Sequence, residues 1–147
     1  MIIIPDANFV ISAIVKRGKA FELFEWNDFL KEIRFIAPEH LSTEIRRNLP
    51  EIVEKTKLSE SEILEVLDKI ESQIEFVPFS KLKRTISRAF RINSSDDFIY
   101  VALALLFKFD EVDARVLSND KDLLESLSKI GAKGISIHEL LRELKLV

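Results

Sequence analysis

MIIIPDANFVISAIVKRG, residues 1–18, holds a strand, a turn and a helix in direct succession. Ile2, Ile3 and Ile4 form a continuous apolar run halted by Pro5, the pattern of a strand buried on both faces. Residues 7–16 then place Phe9, Val10, Ala13 and Ile14 at helical spacing, and Gly18 behind Lys16 and Arg17 supplies a stop. The alternation continues. A second helix spans about 19–31, its face crowded with Phe21, Phe24, Trp26 and Phe29, which the core or a partner must cover; self-association is the sharper reading. Arg34 to Ala37 reads as a strand, Pro38 as the opening of the helix that carries Glu44, and Pro50 as its break or kink. Residues 59–72 form an acidic amphipathic helix with Ser59 and Glu62 as a capping box, and it reads as a solvated arm.

Ile74 to Val77 is a third strand, followed by a helix over about 80–91 and a near-continuously apolar one over 97–107, capped by Ser95 or Asp96. Being apolar all round, that helix must be central or at an interface. Arg115 to Leu117 is a strand, 120–130 a helix, 134–137 a strand, and His138 to Leu146 a closing helix. The expected fold is a three-layer α/β/α domain over residues 1–147, around a central, mostly parallel sheet of about five strands.

At 147 residues and 47% hydrophobic content the chain has the size and apolar content of one core. Its net charge of −3 is unlike that of a protein basic over its whole surface, so a polyanion would have to be met locally. The absence of cysteine excludes disulfides, thiolate zinc sites and cysteine nucleophiles. Met1 to Ile4 lacks the length and basic lead of a signal peptide, and Phe98 to Phe107 is too short for a bilayer core of about 30 Å. A cytoplasmic protein without membrane contact is expected.

Asp6 follows the first strand and Asp120 follows the strand that ends near Leu117 and Ser118, so a parallel sheet brings both to one rim. Asp97 lies in the first turn of the apolar helix, where the helix dipole favours negative charge by about 0.3–1 kcal/mol. Glu44 lies within a helix, and its reach to the rim depends on packing. Carboxylates gathered there would repel unless a hard divalent cation neutralised them. The calcium loop with its glycine turn is missing, whereas magnesium or manganese suits a few carboxylates with waters and substrate phosphates. Such a site activates water and neutralises charge at a phosphodiester. The plainer alternative is that these acids are helix caps and solvated surface.

The same residues resemble PIN-domain nucleases, which include the VapC toxins of toxin–antitoxin pairs. The likeness covers nearly the whole chain: IIIPDANFVISA with Asp6 and Asn8, STEIRR with Glu44, DDFIYVALA with Asp97, and VLSNDKDL with Asp120. It implies a divalent-metal endoribonuclease with Asp6, Glu44, Asp97 and Asp120 as the metal and catalytic acids, using Mg2+ or Mn2+, and Asn8 in support. It also implies homodimers and, for toxin members, an antitoxin partner. Ala7 stands where many relatives carry a hydroxyl residue and Ser118 where threonine is frequent, which bears on the supporting hydrogen bonds. Asp96 and Asp122 are neighbours that fit the family spacing less well.

Lys81, Lys83, Arg84, Arg88 and Arg91 occur with no acid among them, and Lys81, Arg84, Arg88 and Arg91 share one helical face. This stripe is expected to hold RNA phosphates beside Asp97, with Arg46 and Arg47 as helpers; the plainer reading is a solvated face. His40 and His138 lack ligand spacing and read as structural. Two other classes remain to be weighed. One is a catalytically inactive PIN-like module for RNA binding or assembly. The other is a phosphotransfer domain, but a dehalogenase-like phosphatase needs a second Asp where Asn8 stands and a receiver-like domain needs a lysine after its last strand.

Overall fold

β1 (Ile2–Pro5), β2 (Arg34–Pro38), β3 (Ile74–Val77), β4 (Ala114–Leu117) and β5 (Lys133–Ile135) form one parallel sheet in the order β3-β2-β1-β4-β5 in the computed structural model, which describes residues 1–146. β1 is central, and Ile3 and Ile4 are fully buried, as the unbroken isoleucine run requires. Strand order reverses between β1 and β4, with Pro5 opposite Leu117 at their carboxyl ends. In open parallel sheets ligands bind outside such a reversal.

α1 (Ala7–Lys16) and α2 (Lys19–Leu30) connect β1 to β2; α3 (His40–Arg47), α4 (Leu49–Lys55) and α5 (Glu60–Glu71) connect β2 to β3. A 3-10 turn (Phe79–Leu82), α6 (Lys83–Ile92) and α7 (Phe98–Phe109) lead to β4, α8 (Lys121–Lys129) joins β4 to β5, and α9 (Ile137–Glu143) follows. α1 packs against α2, α3, α4 and α5, whereas α7 packs against α6 and α8, so the helices form two groups flanking the sheet as in a three-layer α/β/α fold. No described helix is long and apolar enough to cross a membrane.

Four local expectations are corrected. Pro38 closes β2 instead of opening a helix: it registers with Val77 of β3, while pairing with β1 stops at Phe35, so its missing N–H interrupts no β1 ladder bond. The segment 59–72 is no solvated arm. Ser59 and Glu62 do form the capping box, but Ile63 and Leu67 are fully buried and α5 docks on α1. The stretch from residue 80 begins as a 3-10 turn and becomes helical only at Lys83. At α7 neither Ser95 nor Asp96 is the cap residue; Asp97 occupies that position, with helical dihedrals and no bond from its carboxylate to the helix amides. Pro50 does sit in the first turn of a new helix, after a break at Asn48.

The apolar helix is central, with Ile99 through Leu105 buried. α6 lies antiparallel to it: Phe90 meets Phe98, the Thr85 hydroxyl donates to the Ala102 carbonyl at 2.8 Å, and Arg84 reaches Phe109. Of the aromatic residues on α2, Phe24 joins the core beside Phe9 and Phe35, Phe21 and Trp26 are half-buried, and Phe29 stands 85% exposed.

Candidate active site

Asp6 and Asp120 each begin a helix at the carboxyl rim of the sheet, and each uses one carboxylate oxygen to do so. Asp6 Oδ1 accepts the Phe9 amide at 2.7 Å, and Asp120 Oδ1 accepts the amides of Asp122 and Leu123 at 2.9 and 3.2 Å. The capping and functional readings are therefore compatible: the cap fixes the rotamer and leaves a second oxygen that no helix amide takes. Ser118 ties the pair together. Its hydroxyl donates to Asp6 Oδ2 at 2.5 Å and accepts the Asp120 amide at 3.0 Å, so serine supplies the supporting bonds at this position.

Asp97 arrives from the other side of the rim. The loop before it is anchored by buried Asn93, which donates to the Ser126 hydroxyl of α8 at 3.0 Å and accepts the Ser95 amide at 2.9 Å; the Ser95 hydroxyl in turn accepts the Asp97 amide at 3.3 Å. α8 thus holds the start of α7 next to its own capping acid. Glu44 comes from α3. Its Oε1 accepts the hydroxyl of fully buried Tyr100 at 3.2 Å and lies 3.2 Å from His40 Nε2, one helical turn earlier.

Burial, with neighbouring carboxylates, raises the proton affinity of three of these acids. Burial raises the Glu44 carboxyl to about 7; the Tyr100 bond opposes this, and Asp97, Asp96 and Asp6 add to it. Burial likewise pushes Asp97 up to about 6, reinforced by the charges of Asp120, Asp6 and Asp96 and by a proton bonded to Asp120. Asp6 is raised by burial against the opposing bonds from Ser118 and Phe9. Tyr100 is raised too, by burial and by the Glu44 charge beside it. Among the described residues no lysine or arginine pairs with Asp6, Glu44, Asp97 or Asp120. The acids are gathered without closing round one point: no three described acids or histidines sit in ligating arrangement. An all-oxygen donor set of mutually repelling carboxylates still fits a hard divalent cation better than any other group.

Of the remaining expected residues, Asn8 is exposed at the first turn of α1, in a groove that also includes Asp6 and Asp120. Asp96 is exposed and close enough to act on Glu44 and Asp97. Asp122 is not brought in; it faces a separate hollow with Asn93, Ser126 and Lys129. The basic stripe is largely misplaced. Arg84 and Arg88 lie over the Phe109 ring, each 5.8 Å from its centre, and Arg84 approaches Asp110. That is the far end of α7, roughly 18 Å from Asp97 at 1.5 Å per residue. Lys81 sits in the 3-10 turn that precedes α6, and only Arg91 lies at the α6 end beside the start of α7. Arg46 is held in a two-bond pair with Glu71 at 2.8 and 3.1 Å, while Arg47 is exposed in the last turn of α3.

Two residues were missed. Tyr100, the one hydroxyl in the α7 sequence, lies three positions after Asp97, and that spacing was the available signal. His40 had a signal too, at four residues before Glu44 on the same helix. His138 makes no ion pair among the described residues.

The fold has counterparts among solved structures. Two solved structures share the fold, each with a TM-score of 0.62 and 14% identity. One is VapBC2 from Rickettsia felis bound to a DNA fragment from their promoter, aligned over 92% of this chain and 98% of that one. The other is PAE2754 from Pyrobaculum aerophilum, aligned over 100% of both. At that identity the likeness speaks to fold alone. No curated protein matches significantly by sequence. The PIN domain profile matches residues 4–143, nearly the whole chain, and so this protein belongs to the PIN domain family, whose members are generally nucleases.

Proposed function

We propose that this chain is a divalent-metal-dependent endoribonuclease that hydrolyses RNA phosphodiesters at Asp6, Glu44, Asp97 and Asp120. The observation that carries this is the meeting of four carboxylates from four parts of the chain at the strand-order reversal, with Glu44 and Asp97 pushed to about 7 and about 6. Natural folds rarely gather uncompensated acids without a use for them. Magnesium or manganese, held by these carboxylates, would supply charge neutralisation and an activated water at the phosphodiester.

The protein's own residues prepare for that chemistry. Helix caps and Ser118 fix the oxygens of Asp6 and Asp120, and the Asn93–Ser95 loop fixes Asp97. Glu44 has Oε1 held by Tyr100 and His40, which fixes the side chain and leaves Oε2 for the cation. The likeness to VapBC2 supports a role as the toxin of a toxin–antitoxin pair, with an antitoxin as protein partner. Exposed Phe29 and Leu30 on α2 support pairing with a second copy.

The test compares wild type with Asp97→Asn on a pool of RNAs in magnesium, manganese or chelator. Cleavage by wild type with either metal, lost in chelator and in the variant, is expected. Equal cleavage in every condition refutes the chemistry; retained RNA binding without metal-stimulated cleavage favours an inactive binding or assembly module instead.

A further inference from the structure

A groove of about 480 Å³ starts at Asp6 and Asp120 and runs along α1 to the corner where α2 begins. Asn8, Ser12 and Lys16 line one side of it, spaced i, i+4 and i+8, so they form a single polar stripe along the helix. Lys19 joins Lys16 at the far end. Both lysines are exposed, and neither makes an ion pair among the described residues. Helical side chains lean toward the amino end, which turns Lys16 back toward the acids.

Charge divides the groove. Its acidic end can accept a phosphodiester only once those acids are neutralised, while its basic end attracts one directly. Three of the arginines do not compete, since Arg46 is committed to Glu71 and Arg84 and Arg88 lie at the other end of α7. We propose that this groove is the track of single-stranded RNA, with Lys16 and Lys19 each holding a backbone phosphate a few nucleotides from the bond that is cut. Ten residues of α1 set a span of roughly 15 Å between the two ends, too long for one nucleotide and suited to a short stretch of strand. The lysines act as phosphate clamps, and sequence preference must come from elsewhere in the groove. Asn8 and Ser12 lie between the two ends and present an amide and a hydroxyl to the intervening sugars and bases.

This inference rests on the nuclease reading, and the experiment separates the two. A labelled single-stranded RNA is titrated with the Asp97→Asn protein in magnesium, with and without Lys16→Gln plus Lys19→Gln, between 50 and 200 mM salt. Loss of two phosphate contacts lowers the salt slope by about 1.4, so the parent's affinity should fall about sevenfold more across that range than the lysine variant's. In the cleavage-competent protein the same pair should raise KM for a long RNA and leave kcat unchanged. An Arg84→Gln plus Arg88→Gln control removes equal charge and should leave the slope in place. Equal slopes for the lysine variant and its parent, or an equal drop in the arginine control, overturn the proposal. Persistent cleavage by Asp97→Asn would instead refute the nuclease chemistry itself.

Discussion

Glu44→Gln should make the metal-free protein more stable at pH 8. The Glu44 side chain is 18% exposed, and its Oε1 accepts the Tyr100 hydroxyl, a bond that the glutamine oxygen can keep. Its proton is held to about 7 in the fold, against an ordinary value of 4.5. A carboxyl raised in this way favours the fold fully below about 4.5, and that contribution is lost as pH climbs through about 7. Over the interval the loss is at most about 3 kcal/mol, and less where Asp97 and Asp6 share protons with Glu44. Glutamine carries no charge at either end of the range. For a chain of this size the expected gain in Tm at pH 8 is therefore up to about 6–12 °C, shrinking to nothing near pH 4.5. Thermal melts in chelator across pH 4.5–8 read this directly. Saturating manganese should narrow or reverse the difference, because ligand at 100 times Kd stabilises wild type by about 2.7 kcal/mol. Identical melting curves for wild type and Glu44→Gln across the pH range would refute the picture of a buried, repelled carboxylate.

Asp120 serves two ends that substitution can separate. Asp120→Asn keeps an oxygen for the amides of Asp122 and Leu123 and relieves the repulsion on Asp97, so it should melt at or above wild type in chelator at neutral pH while losing cleavage; Asp120→Ala should lose cleavage and, relative to Asp120→Asn, about 1 kcal/mol of stability with the cap. Ser118→Ala removes the donor to Asp6 Oδ2 and the acceptor of the Asp120 amide, which should weaken manganese binding about 10–100-fold by calorimetry, with Ser118→Thr restoring it.

Much of this architecture follows from local rules that a sequence displays. A short run of β-branched isoleucines stopped by Pro5 favours a buried strand, and a parallel sheet then places whatever follows the strand on the carboxyl rim, which is why the positions of Asp6 and Asp120 were readable. Glu44 and Asp97 depend on how helices lie across one another, and spacing along the chain does not carry that. The same ignorance misdirected the basic stripe: its face was readable, but α6 turns Arg84 and Arg88 toward the end of α7 remote from Asp97. α5 shows the opposite error. Its acidic composition outweighed an apolar stripe that is in fact buried against α1. Tyr100 was hidden because a tyrosine in an apolar helix reads as core, and its body is core; only its hydroxyl belongs to the site.

Capping and catalysis make opposite demands on a carboxylate, and the way Asp6 and Asp120 reconcile them explains why the site sits where it does. A cap wants an oxygen fixed on backbone amides; a metal site wants oxygens free, charged and correctly aimed. Because a carboxylate has two oxygens, an acid at a strand-to-helix junction can satisfy the amides with Oδ1 and present Oδ2, already held in one rotamer. The cap contributes about 1 kcal/mol and the helix dipole favours the charged form by about 0.3–1 kcal/mol, so the fold itself offsets part of the cost of keeping these acids together. Glu44 and Asp97 make no such cap bond, and they are the two held near 7 and 6. Burial is the largest cause at both, with neighbouring carboxylates adding to it, and neither acid has backbone amides of its own to offset that cost as Asp6 has at Phe9.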